Sequence, residues 1–312
     1  MASGSIKNVI VIGPSGSVGP YIVEALLAHH FSVSVLTRAS SGKSFASNIR
    51  VHYTDYSTSS LLKAFEGQDA VVSTIATLHT DQQTSMIDAA IAAGVKHFIP
   101  SEFGIDTSSN TIYQVIPVAV GKHDTVDYLR SKESIGVSWT AICVGAFFDW
   151  VFQYPGLMGW DLPGRKATIY DDGNFEYEAT NVKQIGRAVA AALSPEHFEE
   201  TRNKYIYVNS FTTTQNNVLA ELEKATGSTF EITYQKTEDL HGIGLAKLTE
   251  EKGTVSSGGG QYAAGAVETI TSAIYGYGRL NEFSKTRGLW NEQLGLPKET
   301  IEKTVESIVG AE

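Results

Sequence analysis

The chain predicts an α/β fold with a doubly wound parallel sheet and a smaller C-terminal region, and three observations carry that expectation. The first is Val9-Ile10-Val11-Ile12, a β-branched run without alternation, as a strand buried on both faces of a parallel sheet requires. The second is the turn that follows, Gly13-Pro14-Ser15-Gly16-Ser17-Val18-Gly19, with three glycines spaced by three. The third is the alternation of short apolar runs with helical patterns, joined by short turns, through the first half of the 312 residues.

Taken in order, strands are predicted at 8–12, 32–36, 50–53, 70–73, 97–99 and 138–142, with helices at about 18–29, 59–65, 81–93 and 122–134. Right-handed crossovers give the strand order 3-2-1-4-5-6, and a ligand then sits at the carboxyl edge near the switch between strands 1 and 4. Asp55, residues 73–76 with Thr74, residues 101–104 with Ser101 and Phe103, and Gly145 onward occupy that edge. A further helix is expected at 181–192, a strand at 205–208, and a helix at 214–226 closed by Gly227. The segment 251–260, containing Ser256-Ser257-Gly258-Gly259-Gly260, reads as a flexible loop, either a lid or a connector. The expected division is a nucleotide-binding domain of Rossmann type over 1–150 and a smaller substrate-binding region over 151–312, with room for segments of the latter to return to the sheet.

The glycine turn has a physical purpose at each position. Gly13 allows the tight turn, Gly16 lets main chain approach a pyrophosphate, and Gly19 lets the next helix sit close to the strand. That helix aims free N–H groups and its dipole at the anion, and Ser15, Ser17 and Val18 of the turn and helix start are candidate cofactor contacts. The spacing differs from the usual G-x-G-x-x-G, so context decides. Strand 2 ends in Thr37-Arg38, where an NAD-binding chain places Asp or Glu to accept from the ribose 2′-hydroxyl. A guanidinium cannot accept that bond but can fork onto a 2′-phosphate, and Lys43 adds a second positive charge. NADP(H) is therefore the expected cofactor; the plainer reading is a glycine-rich turn beside a solvated arginine.

Composition bounds the partners. An apolar fraction of 42% and a net charge of −10 describe a globular protein that does not bind nucleic acid or an anionic membrane through bulk electrostatics. The single cysteine, Cys143, lies in an apolar run and reads as a small buried hydrophobe. The first seven residues hold no apolar signal core and no run approaches membrane-spanning length, so a cytoplasmic protein is expected. His29-His30 and the other histidines lack ligand spacing, so no metal is expected. Monomer and homodimer both stay open.

Nicotinamide chemistry needs a proton donor or acceptor beside the reacting carbon. Tyr128 and Lys132 have the Tyr-x-x-x-Lys spacing of short-chain dehydrogenases, but they fall at the far end of their helix. Lys122 opens that helix, and the place four residues before it is Val118, so the standard pair is absent. A lysine is poorly placed against the positive end of a helix dipole, and its presence there needs a reason other than solvation. His123, about 100° round the helix, reads as a packing histidine, and Glu102 as structural.

With Phe98-Ile99-Pro100-Ser101-Glu102-Phe103-Gly104 after strand 5, these residues resemble the NmrA-like, isoflavone-reductase-like branch of the atypical short-chain dehydrogenases. That branch includes isoflavone, pinoresinol–lariciresinol and phenylcoumaran benzylic ether reductases, enzymes of secondary metabolism. The resemblance implies that Lys122 is the general acid/base, that Arg38 and Lys43 hold the 2′-phosphate, and that the turn 101–103 lies along the nicotinamide. A partly buried lysine can take a phenolic or enolic proton or polarise a carbonyl. Plant members carry Asn-x-Phe-Ala-Gly-Tyr-Phe after strand 6, whereas this chain has Gly145-Ala146-Phe147-Phe148-Asp149-Trp150, which weakens any transfer of lignan or isoflavone specificity. The expected pocket is lined by Phe103, Phe147, Phe148, Trp150 and Phe152, and takes an aromatic, phenolic or polyketide-like molecule. An NADP-sensing regulator without catalysis and a cofactor-bound isomerase or dehydratase are the alternatives.

Overall fold

Strand β1 (Asn8–Ile12) sends Val9 and Val11 into one hydrophobic cluster and Ile10 and Ile12 into another on the opposite face, all four fully buried. The computed structural model describes residues 6–250, 254–257 and 260–310. After β1 come α1 (Gly19–Ala28), β2 (Ser32–Arg38), β3 (Arg50–Thr54), α2 (Thr58–Phe65), β4 (Ala70–Ser73), α3 (Gln83–Ala92), β5 (His97–Ile99), α4 (Val120–Ser131) and β6 (Ser138–Cys143). The strands are parallel in the order 3-2-1-4-5-6, as the crossover rule requires.

Beyond β6 the chain builds two three-stranded sheets: Ala146–Phe147 with Tyr177–Thr180 and Phe211–Thr213, and Trp160–Asp161 with Lys166–Tyr170 and Glu231–Gln235. It also returns to the main sheet. Helix α5 (Val182–Leu193) packs on α1 so closely that a Cβ on Gly186 would lie 2.3 Å from the Tyr21 carbonyl oxygen. Strand β7 (Lys204–Tyr207) then adds to β6 as a seventh parallel strand. Helix α6 (Ala266–Ile274) and the terminal helix Ile301–Val309 complete the region.

Several boundaries differ from expectation for local reasons. The predicted helix at 81–93 is a 3₁₀ segment, Thr77–Gln82, running into α3. Helix α4 stops at Ser131, because a short 3₁₀ turn and Gly136 at φ 98° redirect the chain. Thr214 is the cap of Gln215–Thr226, accepting from the Asn217 N–H at 3.1 Å, and Gly227 closes that helix in the left-handed region. The expected loop at 251–260 is corrected over its described part. Thr254–Ser257 and Gly260–Ala263 pair as an antiparallel hairpin, with Val255 opposite Tyr262. Ladder bonds satisfy main chain that a Ser- and Gly-rich stretch cannot bury behind large side chains; residues 251–253, 258 and 259 lie outside the described residues. Among the described residues no helix is long and apolar enough to cross a membrane, and no three His, Cys, Asp or Glu side chains are grouped to hold a metal ion. Cys143 is fully buried, and burial pushes its thiol up.

Candidate active site

The carboxyl ends of β1 and β4 are locked together before any ligand is considered. Thr74 Oγ1 donates to the carbonyls of Ile12 and Gly13, at 2.7 and 2.8 Å. Gly13 has φ 76°, and a Cβ there would lie 2.9 Å from the Thr74 carbonyl oxygen; a Cβ on Gly19 would lie 2.4 Å from the Gly13 oxygen. Only glycine fits either place. Pro20 occupies the first turn of α1, and no side chain caps its N-terminus, which leaves helix N–H groups for a ligand. Ser15, Gly16, Ser17, Val18, Thr74 and Ser101 line the cavity in front of it, together with Tyr21, Gln153 and Tyr154.

A second cavity adjoins the first, and the two share Ser17, Thr77, Phe103, Lys122, Phe147 and Trp150. Its remaining walls are mostly apolar: Ile105, Ile116, Ala119, Ala146, Met158, Ile270 and Ile274, with Glu102 and Thr107 as the polar exceptions. Lys122 thus stands at the junction of a main-chain cradle and an apolar chamber. Helix α4 can start there because Gly121 lies against Thr80, whose Oγ1 would be 2.3 Å from a Cβ at that position. Lys122 is half-buried, and its Nζ donates to the main-chain carbonyl of Glu102. Burial pushes its ammonium down from the usual lysine range, and the Glu102 carboxyl opposes that shift.

The turn bearing Glu102 is fastened from both sides. Ser101 donates its N–H to Gln83 Oε1 at 2.8 Å and its Oγ–H to the Ile75 carbonyl at 2.7 Å, while Phe103 takes φ 25° and is buried. Glu102 itself is 1% exposed; Thr107 donates to its Oε2, and its Oε1 has no partner among the described residues. Burial raises this carboxyl, against the pull of Lys122, the Thr107 hydroxyl and His123. His123 is buried with Nδ1 2.7 Å from the Thr107 carbonyl oxygen and its ring edge-on to Tyr113, a packing role.

Not every expected residue meets there. Thr37 is buried at the end of β2, donating to Ser41 Oγ at 3.0 Å, while Arg38 and Lys43 are exposed nearby; none of the three lines the two cavities. Arg38 stands close enough to Tyr56 for its charge to oppose the burial that raises that phenol. Phe148 and Phe152 are corrected from pocket wall to core: they pack on each other at 5.3 Å, Phe148 on Phe211 at 4.9 Å and Phe152 on Trp160 at 5.9 Å. Phe147 and Trp150, from the same segment, face the site. Tyr128 donates to Asp88 Oδ1 at 2.6 Å and lies 4.6 Å under Lys132 Nζ, away from both cavities. Sequence reasoning missed Ile270 and Ile274, although Val267, Ile270 and Ile274 follow Gly265 at helical spacing.

Comparison with known proteins agrees with this geometry. The model of the NmrA-like family matches residues 5–285. A protein of Aspergillus flavus named oxidoreductase aprR is 34% identical over 97% of this chain and 98% of its own. Eugenol synthase 1 of Petunia hybrida is 30% identical over 75% of this chain and 79% of its own. Among solved structures, AtPrR2 with NADP+ and (+)pinoresinol aligns with TM-score 0.75 at 23% identity, covering 98% of this chain and 99% of that one. Leucoanthocyanidin reductase of Vitis vinifera with NADPH aligns with TM-score 0.75 at 20% identity, covering 97% and 99%. With its glycine turn, its Pro-Ser-Glu-Phe-Gly turn and its lysine-opened helix in the arrangement just described, the chain belongs to the NmrA-like family.

Proposed function

We propose that this protein is an NADPH-dependent reductase of an aromatic, phenolic or polyketide-like small molecule, with Lys122 as general acid/base. The observation that carries it is the position of Lys122, half-buried where the main-chain cradle opens into the apolar chamber. The residues present fit a dinucleotide: Gly13 at positive φ, Gly16 without a side chain and the uncapped α1 suit a pyrophosphate. Arg38 is exposed at the end of β2 and Lys43 in the connection that follows it, two positive charges that a 2′-phosphate could meet. The relatives named as oxidoreductases, and the solved reductases described with NADP+ or NADPH, support the same cofactor.

Bound, the dinucleotide would supply hydride. The chain's own residues do the rest. Phe103, Phe147 and Trp150 hold a flat ring and exclude water, which strengthens every polar interaction inside. Lys122 gives a proton to, or takes one from, the oxygen whose charge changes. Its ammonium, pulled down by burial, sits nearer the working pH, where a general acid is most effective. The Glu102 carbonyl fixes Nζ while the substrate is absent.

Titration calorimetry tests the cofactor. NADPH should bind at least about 10-fold more tightly than NADH, and Arg38→Ala should erase most of that difference; equal binding of both nucleotides by the unaltered protein overturns the assignment. A panel of phenolic and enone substrates tests the chemistry through NADPH consumption. Product formed without net NADPH loss reveals an isomerase or dehydratase, and tight nucleotide binding without turnover of any panel member points to a sensor.

A further inference from the structure

We propose that the chamber beside Lys122 takes its substrate through a single six-membered ring, and that Met158 is the residue that sets this limit. The inference deepens the reductase reading, on which it rests for what enters the chamber. The chamber encloses about 140 Å³, close to the roughly 150 Å³ of an apolar cavity that takes up one benzene molecule. The adjoining cradle, at about 460 Å³, is separate room for the dinucleotide. Polarity sets the direction of the ring. Ser17, Thr77 and Lys122 stand at the junction of the two cavities, whereas the polar side chains beyond it, Glu102 and Thr107, are bonded to each other. A ring therefore enters with its oxygen toward Lys122 and its apolar edges toward Ile105, Ile116 and Ile274.

A small chamber limits its ligand only if its walls hold still, and three of them are tied down. Met158 is a half-buried wall residue held at φ 52°, between Gly156 at φ 82° and Gly159 at φ 87°. A methionine keeps that backbone conformation only where its surroundings enforce it. Tyr275 does so, donating its hydroxyl to the Met158 carbonyl at 3.0 Å while accepting from Trp160 Nε1 at 3.0 Å. A Cβ on Gly159 would lie 2.6 Å from the Thr168 carbonyl oxygen, so the turn is already seated against the neighbouring strand. Tyr275 directly follows Ile274 at the end of α6, stacks on Tyr170 and meets Tyr177 edge-on, both at 5.1 Å. The wall of Ile270 and Ile274 is thereby fixed to the wall of Met158. The third wall, Ile116 and Ala119, follows Val115, whose carbonyl lies 2.9 Å from His241 Nε2 and whose side chain abuts Gly278. Packed walls of this kind reject an oversized ligand instead of stretching. Beyond the junction Met158 has the longest apolar side chain of the lining, and it is half-buried, so trimming it widens the chamber without emptying the core.

Ligand-observed NMR titration with phenol and 2-naphthol, with NADP+ present, tests the limit without any turnover. The unaltered protein should bind phenol at least about 10-fold more tightly than 2-naphthol, against the greater apolar area of the larger probe. Met158→Ala should raise the affinity for 2-naphthol at least about 10-fold and leave that for phenol within about threefold, whereas Met158→Leu, similar in volume, should keep the original ranking. Ile270→Ala, which widens the chamber from α6, should admit 2-naphthol by less and serves if thermal melting shows that Met158→Ala fails to fold. The proposal is overturned if the unaltered protein binds 2-naphthol as tightly as phenol, if neither probe binds, or if the ranking is unchanged in the folded, widened variant. Failure of the reductase reading would show separately, as no NADPH consumption by the unaltered protein with any substrate, and would leave the ranking of the two probes standing.

Discussion

The two ends of helix α4 each carry a lysine, and they share little beyond the helix. Lys122 and Lys132 are ten residues and about 15 Å apart along the axis. At the first end, Gly121 draws the helix against the 3₁₀ segment Thr77–Gln82, and Lys122 enters the site with a carbonyl as its hydrogen-bond partner. At the second, Lys132 lies over the Tyr128 ring, and the Tyr128 phenol is tied to Asp88 on α3. The spacing that advertises chemistry, Tyr-x-x-x-Lys, is at the solvent end, and the two cavities meet at the end without it. A motif defines which side chains are neighbours on a helix; only the fold decides which end meets the carboxyl edge of the sheet.

Paired substitutions sharpen this contrast. The largest effect is expected from Lys122→Ala, which should lower kcat by about 100-fold or more, whereas Lys132→Ala should leave it within about twofold; equal losses in a steady-state assay would erase the distinction. Next come the glycines that frame the helix. Gly121→Ala should lower kcat several-fold by pushing Lys122 away from Thr80, while Gly136→Ala, at φ 98° with open space around it, should cost about 1 kcal/mol of stability in urea unfolding with kcat unchanged.

A smaller effect comes from the charge of Lys122. Its folded-state pKa is below its unfolded value, so the unfolded chain binds more protons in the window between them and the wild type gains stability as pH rises through it. Lys122→Met should therefore melt a few degrees higher than the wild type at neutral pH, with the gap narrowing as pH approaches about 10.4. Calorimetric scans across that range would show a constant gap if the lysine were free in water. The smallest change is Tyr128→Phe, which removes one surface hydrogen bond and should cost less than about 1 kcal/mol, with turnover unaffected.

What could be read from the amino acids follows the same division. The strands of the first half were legible because each is buried on both faces and shows it as an unbroken β-branched run, as Val9–Ile12 does. The glycine turn was legible because Gly13 and Gly19 sit where a Cβ would meet main chain. Lys122 stood out because a helix N-terminus repels it. The chamber was harder. Phe147 and Trp150 line it while Phe148 and Phe152 point into the core, and aromatic content alone cannot tell one face of a short turn from the other. Ile270 and Ile274 reach the site from about 150 residues beyond Lys122, a contact no local pattern announces. Glu102 read as structural, and that it is buried beside the chamber is a property only the folded molecule shows.

The contact of Gly186 with α1 bears on how this protein can be divided. A fragment ending near residue 150 would lose α5 from one flank of α1 and β7 from the edge of β6, leaving an apolar helix face and an unpaired strand in water. Such a fragment should self-associate instead of serving as a portable nucleotide-binding module. The nucleotide half and the second half are therefore expected to unfold together, and the chain would tolerate exchange of its surface connections far better than exchange of its halves.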